Sequence, residues 1–155
     1  MSQPGQDPRH LTRGHFDHVV ELTTRWADND AFGHLNNAVY YALFDTAITG
    51  WLTSGLDAAV ESLNARGVVV ETGCRYFHEL SFPTPVHAGV RIERVGRTSV
   101  TYATGLFAAD SEPIAAFGHW VHVYVDKETR RPVPVPDNVR WLLDAALAPR
   151  SKRLT

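Results

Sequence analysis

The stretch from Arg25 to Tyr40 constrains the fold of this chain more than any other. Before it, residues 18–26 are rich in Val and Thr and alternate moderately in polarity, which predicts a strand. Residues 28–37 then hold two Asp, three Asn, one His and one Gly, a composition typical of a loop. After them, apolar residues recur at helical spacing and predict one long helix with a broad apolar face: Tyr40, Leu43, Phe44, Ala47, Ile48 and Trp51.

The ends of this helix are marked by short polar residues and by glycines. Asn36 or Asn37 is suited to the N-cap, because a short amide side chain accepts hydrogen bonds from free N–H groups of the first turn. Gly50 and Gly55 indicate where the helix loosens or ends. The N-terminus of a helix presents unpaired N–H groups and a partial positive charge, so it stabilises an oxyanion that forms there.

Asp30 precedes the helix by a few residues and supplies a carboxylate close to these N–H groups. A carboxylate can attack a carbonyl carbon directly or take a proton from a water that attacks. Together, the two features are the components of acyl transfer or hydrolysis. The alternative is structural, since Asp and Asn before a helix often only form turns and caps. For Asp28 we favour such a loop role, in which it pairs with Arg25.

Residues 30–40 closely resemble the Asp-x-x-Gly-His-Val-Asn-Asn-x-x-Tyr signature of the hotdog-fold acyl-CoA thioesterases, in the 4-hydroxybenzoyl-CoA thioesterase-like group. The resemblance extends over residues 17–147 through the segments 74–77, 90–99, 121–126 and 131–136. This chain departs from the family in two places. It has Glu79 where the family usually has Pro in the bend after a strand, and Pro83-Thr84 where the family has Gly-Asp.

The resemblance implies a catalytic set of Asp30, Gly33, His34 and Asn37. Asp30 would be the nucleophile or the general base, and the backbone N–H near Asn37 would bind the thioester oxygen. His34 and the Asn37 side chain would orient the water or the acyl group. Gly33 fits either a left-handed backbone angle or a close approach by the thioester, both of which a bulky residue would obstruct.

An acyl-CoA substrate would need an apolar channel for its acyl group and positive charge for its phosphates. Phe32 and Tyr40, together with Phe44 and residues of a partner chain, would line an acyl channel. Guanidinium groups suit phosphate oxygens, so the candidates for the phosphates of coenzyme A are Arg91, Arg94, Arg97, Arg130 and Arg131. Cys74 is interpreted as a small core residue rather than a nucleophile.

Cofactor and metal motifs are not found in the sequence. His119 and His122 lie three residues apart in a predicted strand and so point to opposite faces. The chain has one cysteine, no His-Glu-x-x-His helix and no nucleotide-binding glycine loop. We therefore expect no metal and no cofactor, with coenzyme A entering only as part of the substrate.

The remaining segments predict an α+β domain. Four further strands are expected at 68–80, 86–95, 99–109 and 114–125, with a short helix at 57–67 and a final helix at 137–147 that docks through Trp141, Leu142 and Leu147. An antiparallel sheet wrapped around a long central helix is the hotdog fold. We divide the chain into a flexible lead-in at 1–16, one domain at 17–147 and a tail at 148–155. Open sheet edges and the resemblance predict a homodimer or homotetramer with the active site between subunits.

Composition is ordinary for a globular protein, with 155 residues, 44% hydrophobic and 21% charged. A net charge of −2 gives no general attraction to nucleic acid or to an anionic membrane. The single cysteine fits a reducing compartment. With neither an apolar run of about 18 residues nor a signal peptide, the sequence predicts a cytoplasmic protein.

The sequence thus predicts an acyl-CoA thioesterase that releases a free acid and coenzyme A. One alternative is an acyl-CoA-binding module of the same fold that does not turn its ligand over. The other is a hotdog dehydratase or hydratase, whose hydratase motif resembles Asp-x-Asn-Pro-x-His. The proline of that motif is missing between Asp28 or Asp30 and His34, so this alternative ranks last.

Overall fold

The computed structural model describes residues 6–56 and 63–153 of the chain. It contains two long helices and five strands. In chain order these are β1 (His18–Leu22), α1 (Asn37–Gly55), β2 (Ala65–Tyr76), β3 (Val86–Val95), β4 (Ser99–Ala108), β5 (Ile114–Asp126) and α2 (Asp137–Arg153).

The five strands form one antiparallel sheet in the order β1-β3-β4-β5-β2. β3 and β4 are joined as the hairpin that Gly96 and Arg97 predicted, with Val95 opposite Val100. The edges are unequal, because β1 has 5 residues and β2 has 12. The predicted antiparallel α+β architecture is confirmed.

The apolar face of α1 packs into the core on one side of the sheet. Of the predicted stripe, Tyr40, Leu43, Phe44, Ala47 and Ile48 are buried and Trp51 is partly buried. Asn36 is the N-cap, since its Oδ1 accepts from the N–H of Ala38 at 3.0 Å. The helix runs past Gly50 and ends at Gly55.

The other side of the sheet carries the N-terminal segment. Residues 8–15 form two short 3₁₀-helices, in contrast to the flexible lead-in that the sequence indicated. Leu11 and Phe16 are buried against the sheet. A Cβ atom at Gly89 or Gly105 would come within 2.6 Å or 2.5 Å of the Phe16 ring, so the ring occupies the space that these glycines leave open. Only these two side chains anchor the segment, and two positions produce no hydrophobic periodicity from which its structure could be predicted.

Helical predictions beyond α1 need correction. Most of the predicted helix at 57–67 lies outside the described residues, but its last three residues, 65–67, belong to β2. The first strand ends at Leu22, and Trp26–Asp28 form a 3₁₀ turn instead of extending it. Neither long helix within the described ranges has the length and apolar character needed to span a membrane.

The final helix begins at Asp137 as predicted and continues to Arg153. Its docking face differs from the predicted one, because Trp141 is 72% exposed. Val139 and Leu143 are buried in the core instead, and Leu142 and Leu147 pack partly against it. The positions of Val139 and Leu143, four residues apart, define the buried face.

His122 is a buried polar residue on the sheet face beneath α1. Its Nε2 accepts a hydrogen bond from Nε1 of Trp120 at 3.1 Å, whereas its Nδ1 has no partner among the described residues. Burial lowers the pKa of His122, although the charge of Asp45 opposes this effect. The folded protein therefore favours the neutral imidazole.

We expect the free energy of unfolding to fall as the pH drops below about 6.5, the value for a histidine in an unfolded chain. Above that pH both states bind no proton at His122; below it the unfolded state binds one first, at a cost of up to about 1.4 kcal/mol per pH unit. His122→Gln keeps an acceptor for Trp120 but cannot titrate. Urea unfolding from pH 7.5 to 5 should show a flatter pH dependence for His122→Gln than for wild type.

His119→Gln is the matched control, because His119 is on the exposed side of the same strand. The free energy of unfolding of His119→Gln should vary with pH as that of wild type does. If the free energy of unfolding changes with pH equally in wild type and His122→Gln, the prediction is wrong.

Candidate active site

An open pocket of about 540 Å³ lies at the N-terminus of α1. Two parts of the chain form it: the loop before α1 with the first turn of that helix, and the last residue of β2 with the segment that follows it. Its lining residues are Asp30, Phe32, His34, Leu35, Asn37, Tyr40, Tyr76, Phe77, His78 and Glu79. The structure thus brings together Asp30, His34, Asn37, Phe32 and Tyr40 of the predicted site.

A tight turn presents Asp30 to the pocket. Its N–H donates to the carbonyl of His34 at 2.8 Å, and its carbonyl accepts from the N–H of Gly33 at 3.1 Å. One carboxylate oxygen, Oδ1, accepts from the N–H of Phe32 at 2.8 Å. The carboxylate therefore does form a turn, as the structural alternative held, and it also faces the pocket.

Gly33 has a φ of +81°, in the left-handed region, and a Cβ atom there would meet nothing within 4 Å. The left-handed backbone angle is therefore present, and the close approach of the thioester stays a prediction.

The first turn of α1 offers a free donor to the same pocket. The N–H groups of Asn36, Ala38 and Val39 donate to the Asp28 carbonyl, the Asn36 Oδ1 and the Asn36 carbonyl. For the N–H of Asn37, no partner is found within residues 6–56 and 63–153. This is the N–H group that the family resemblance assigns to the thioester oxygen.

His34 and Glu79 meet at the pocket from its two sides. Nε2 of His34 lies 3.0 Å from Oε2 of Glu79. From the sequence, Glu79 is identified only as a departure from the family pattern. Its contact with His34 is not predictable from the residue type.

Two tyrosines form the inner wall. The rings of Tyr40 and Tyr76 pack edge to face at 4.8 Å, and the Tyr76 hydroxyl donates to the Asn37 carbonyl at 2.9 Å. Burial raises the pKa of both hydroxyls, so they stay protonated near neutral pH. Burial also raises the pKa of the neighbouring Cys74 thiol to about 11, which fits its interpretation as a packed residue and not as a nucleophile.

Asp28 has a structural partner. It is buried, and its carboxylate accepts from the backbone and the guanidinium of Arg25, with Nη2 at 2.8 Å. Burial alone would raise the pKa of Asp28, but the Arg25 hydrogen bonds and charge outweigh it and lower the pKa. The predicted pairing with Arg25 is therefore present.

The predicted phosphate-binding arginines lie outside this pocket. Arg91 sits on the outer side of the sheet, paired with Glu93 and 5.8 Å from the Phe16 ring. Tyr76 pairs with Ala116 at the pocket end of β5. Arg97, Arg130 and Arg131 lie near its opposite end, about 25–35 Å along the strand at about 3.3 Å per residue. Arg94 is opposite Thr101, which pairs with Val121, so it lies about 15–20 Å along the strand from the pocket end.

Several pocket residues were not identified from the sequence. Tyr76, Phe77, His78 and Leu35 were part of a predicted strand or loop, with no sign of a shared cavity. Phe44, predicted for the acyl channel, is fully buried and does not line the pocket. Within the described part of the chain, His, Cys, Asp and Glu side chains form no group of three or more able to hold a metal ion.

Comparison with known proteins identifies a relationship over most of the chain. The family model of the thioesterase-like superfamily matches residues 24–143. The crystal structure of the PA5185 protein from Pseudomonas aeruginosa PAO1 has 37% sequence identity and a TM-score of 0.83, and the match covers 87% of this chain and 94% of that chain. A comparison with curated proteins finds no match.

Two further structures are similar. A thioesterase from Thermus thermophilus, complexed with coenzyme A and Zn, has 27% identity and a TM-score of 0.72, covering 86% of this chain and 96% of that chain. A DHNA-CoA thioesterase from Staphylococcus aureus has 18% identity and a TM-score of 0.77, covering 86% and 93%. The last likeness concerns the fold alone, and it confirms the predicted hotdog architecture.

Gly33→Ala should lower the free energy of unfolding by about 1–2 kcal/mol, because alanine is strained at positive φ. Gly50→Ala is the matched control: Gly50 is an exposed position inside α1 with nothing within 4 Å of its Cβ site. That change should stabilise the protein by about 0.5–1 kcal/mol. Urea unfolding measures both, and equal stability of Gly33→Ala and wild type would refute the turn requirement.

Proposed function

The chain belongs to the thioesterase-like superfamily and is a thioester hydrolase, and we propose that it hydrolyses an acyl-CoA to a free acid and coenzyme A in the pocket at the N-terminus of α1. The observation that carries the proposal is that Asp30 and Asn37 line the same pocket. Asp30 has a carboxylate, and the N–H of Asn37 has no partner among the described residues. Hydrolysis of a thioester needs an attacking group and a donor for the oxyanion, and these two residues supply them.

Asp30 acts on the acyl carbon in one of two ways. It attacks directly and forms an anhydride that water hydrolyses, or it takes a proton from a water that attacks the thioester. In both routes the carbonyl oxygen gains negative charge and the coenzyme A thiolate leaves. The N–H of Asn37, strengthened by the positive end of the α1 dipole, stabilises that charge.

The aromatic residues of the pocket wall support a binding site for an acyl group. Tyr40 and Tyr76 offer ring faces and edges, and Phe32 extends the apolar surface outward, where its side chain is 85% exposed. An exposed phenylalanine at a pocket mouth costs little once a ligand or a partner chain covers it. We propose that the acyl group packs against these rings.

The sheet edge next to the pocket supports a homodimer or homotetramer. β2 is a long edge strand, and Val69, Val70 and Tyr76 on it are exposed. A 12-residue edge with three exposed apolar side chains, to which no other described strand pairs, favours pairing with another strand. Because Tyr76 belongs to both β2 and the pocket wall, a second copy paired at β2 would border the active site.

The five predicted arginines remain candidates for the coenzyme A phosphates only through such a partner. Within one chain, Arg97, Arg130 and Arg131 are about 25–35 Å along the sheet from its pocket end and Arg94 about 15–20 Å, as the pairing of the strands requires. A cytoplasmic location likewise remains a prediction from the sequence.

Asp30→Asn and Asp30→Ala test the mechanism by free-thiol release from acetyl-, hexanoyl-, palmitoyl- and benzoyl-CoA. The asparagine oxygen can still accept from Phe32, so the turn is preserved while the charge is lost. We expect both variants to lose at least about a hundredfold in rate, or about 2.7 kcal/mol of barrier.

Asp144→Asn is the control, since Asp144 is an exposed carboxylate on α2 outside the pocket, and it should retain wild-type rates. If wild type releases no thiol while binding acyl-CoA, the alternative of a non-catalytic binding module is correct. If both Asp30 variants match wild type, Asp30 is only a turn residue.

Val70→Lys tests the proposed interface. We expect light scattering to give a mass of two or four times 17.2 kDa for wild type, and a smaller assembly for Val70→Lys, because lysine on an edge strand opposes strand pairing. Val19→Lys is the matched control on the opposite edge, where Val19 is exposed on β1. A monomeric wild type, or dissociation by Val19→Lys alone, would disprove pairing at β2.

A further inference from the structure

Glu79 is a pocket residue to which neither the sequence motif nor the family comparison gives a role. Its carboxylate lies 3.0 Å from Nε2 of His34, and both residues line the pocket that contains Asp30. We propose that Glu79 is a positioning residue, which holds His34 in one tautomer so that its Nδ1 accepts a hydrogen bond from the water that enters the reaction. This inference rests on the proposed thioesterase function.

The backbone on both sides of the pair is held in place. The N–H of Leu35, next to His34, donates to the carbonyl of Leu80, next to Glu79, at 2.7 Å. Both leucine side chains are buried in the core. The carbonyl of His34 also accepts a hydrogen bond from the backbone N–H of Asp30. The two side chains therefore project from adjacent, fixed points, and their contact does not depend on a mobile loop.

The chemistry of the contact selects one tautomer. An ionised carboxylate only accepts hydrogen bonds, so Nε2 of His34 must carry the hydrogen. In the neutral imidazole, Nδ1 then has the lone pair and can only accept. Without Glu79, both tautomers of His34 are available, and one of the two presents a donor where the water needs an acceptor.

Stability of the fold does not account for this pair. The side chains of His34 and Glu79 are 37% and 72% exposed, and exposed ion pairs add little to the free energy of unfolding. An orienting contact of low energy can still affect catalysis, because a reacting water must be held in the correct direction.

The role of His34 is the same in both routes open to Asp30. Water attacks the thioester carbon in one route and the anhydride carbon in the other. In each, His34 accepts a hydrogen bond from one O–H of the water, and an oxygen lone pair of the water points at the carbon. The other proton goes to Asp30: as the general base in the first route, and as the carboxylate released when its bond to the acyl carbon breaks in the second. The imidazole binds the water and takes no part in the proton balance.

Glu79→Gln tests the inference with almost no change in shape. The glutamine amide can donate to or accept from Nε2, so it no longer selects a tautomer. We expect kcat to fall about tenfold with KM nearly unchanged, for whichever acyl-CoA of the panel wild type turns over fastest. Long-range ¹⁵N–¹H NMR should show a single Nε2–H tautomer of His34 in wild type and a mixture in Glu79→Gln. Thermal midpoints should stay equal.

Glu71→Gln is the matched control. Glu71 and His119 form an exposed pair with nearly the same separation, 2.9 Å, and neither lines the pocket. This variant should alter the His119 tautomer and leave kcat at the wild-type value.

The outcomes separate the inference from the function it rests on. If wild type releases no thiol, both the proposed function and this inference are wrong. Thiol release that depends on Asp30 but not on Glu79 keeps the function and overturns the inference. So does a reduced kcat in Glu79→Gln with the His34 tautomer unchanged, because Glu79 would then act by another route.

Discussion

The hydrogen bond from the N–H of Leu35 to the carbonyl of Leu80 holds the two halves of the pocket together. Leu35 ends the loop that carries Asp30 and His34, and Leu80 follows the segment that carries Tyr76 and Glu79. Both leucines are buried, so losing this bond would leave two backbone groups unsatisfied in the core, at a cost of about 1–3 kcal/mol each. The bond therefore ties the polar loop to the segment after β2.

Further bonds extend the same junction. Oδ1 of Asn29 accepts from the N–H of Phe82 at 3.0 Å, and the hydroxyl of Ser81 donates to the carbonyl of Gly33 at 2.9 Å. The density of Asn, Asp and Ser around the loop is therefore partly a structural requirement: these side chains join two backbones that are not paired as strands. The structural interpretation of the polar loop is therefore correct for Asn29, and the functional interpretation of Asp30 stays a proposal.

The fold was predictable where the pattern is local. The helical spacing from Tyr40 to Ile48 identified the buried face of α1, and Gly96-Arg97 located the β3–β4 turn. The N-terminal segment and α2 were harder, because Phe16 docks against glycines distant in sequence and Trp141 is apolar yet exposed. Within the site, the motif predicted Asp30 and Asn37, which lie close together in the sequence. Tyr76 and Glu79 reach the pocket only through tertiary contacts, and the arginines were assigned by charge without knowledge of their place on the sheet.

Glu79 stands where the family usually has a proline, and this difference adds a charged side chain to the pocket. A proline in that bend can restrict the backbone but offers neither a charge nor a hydrogen-bond partner. Here Leu35 and Leu80 already restrict the backbone, so position 79 is available for a side chain with a chemical role. Since His34 lies on the neighbouring backbone, an acceptor at position 79 that reaches its Nε2 determines which ring nitrogen carries the hydrogen. Variation at this bend is therefore a means of changing the active site without altering the residues of the motif.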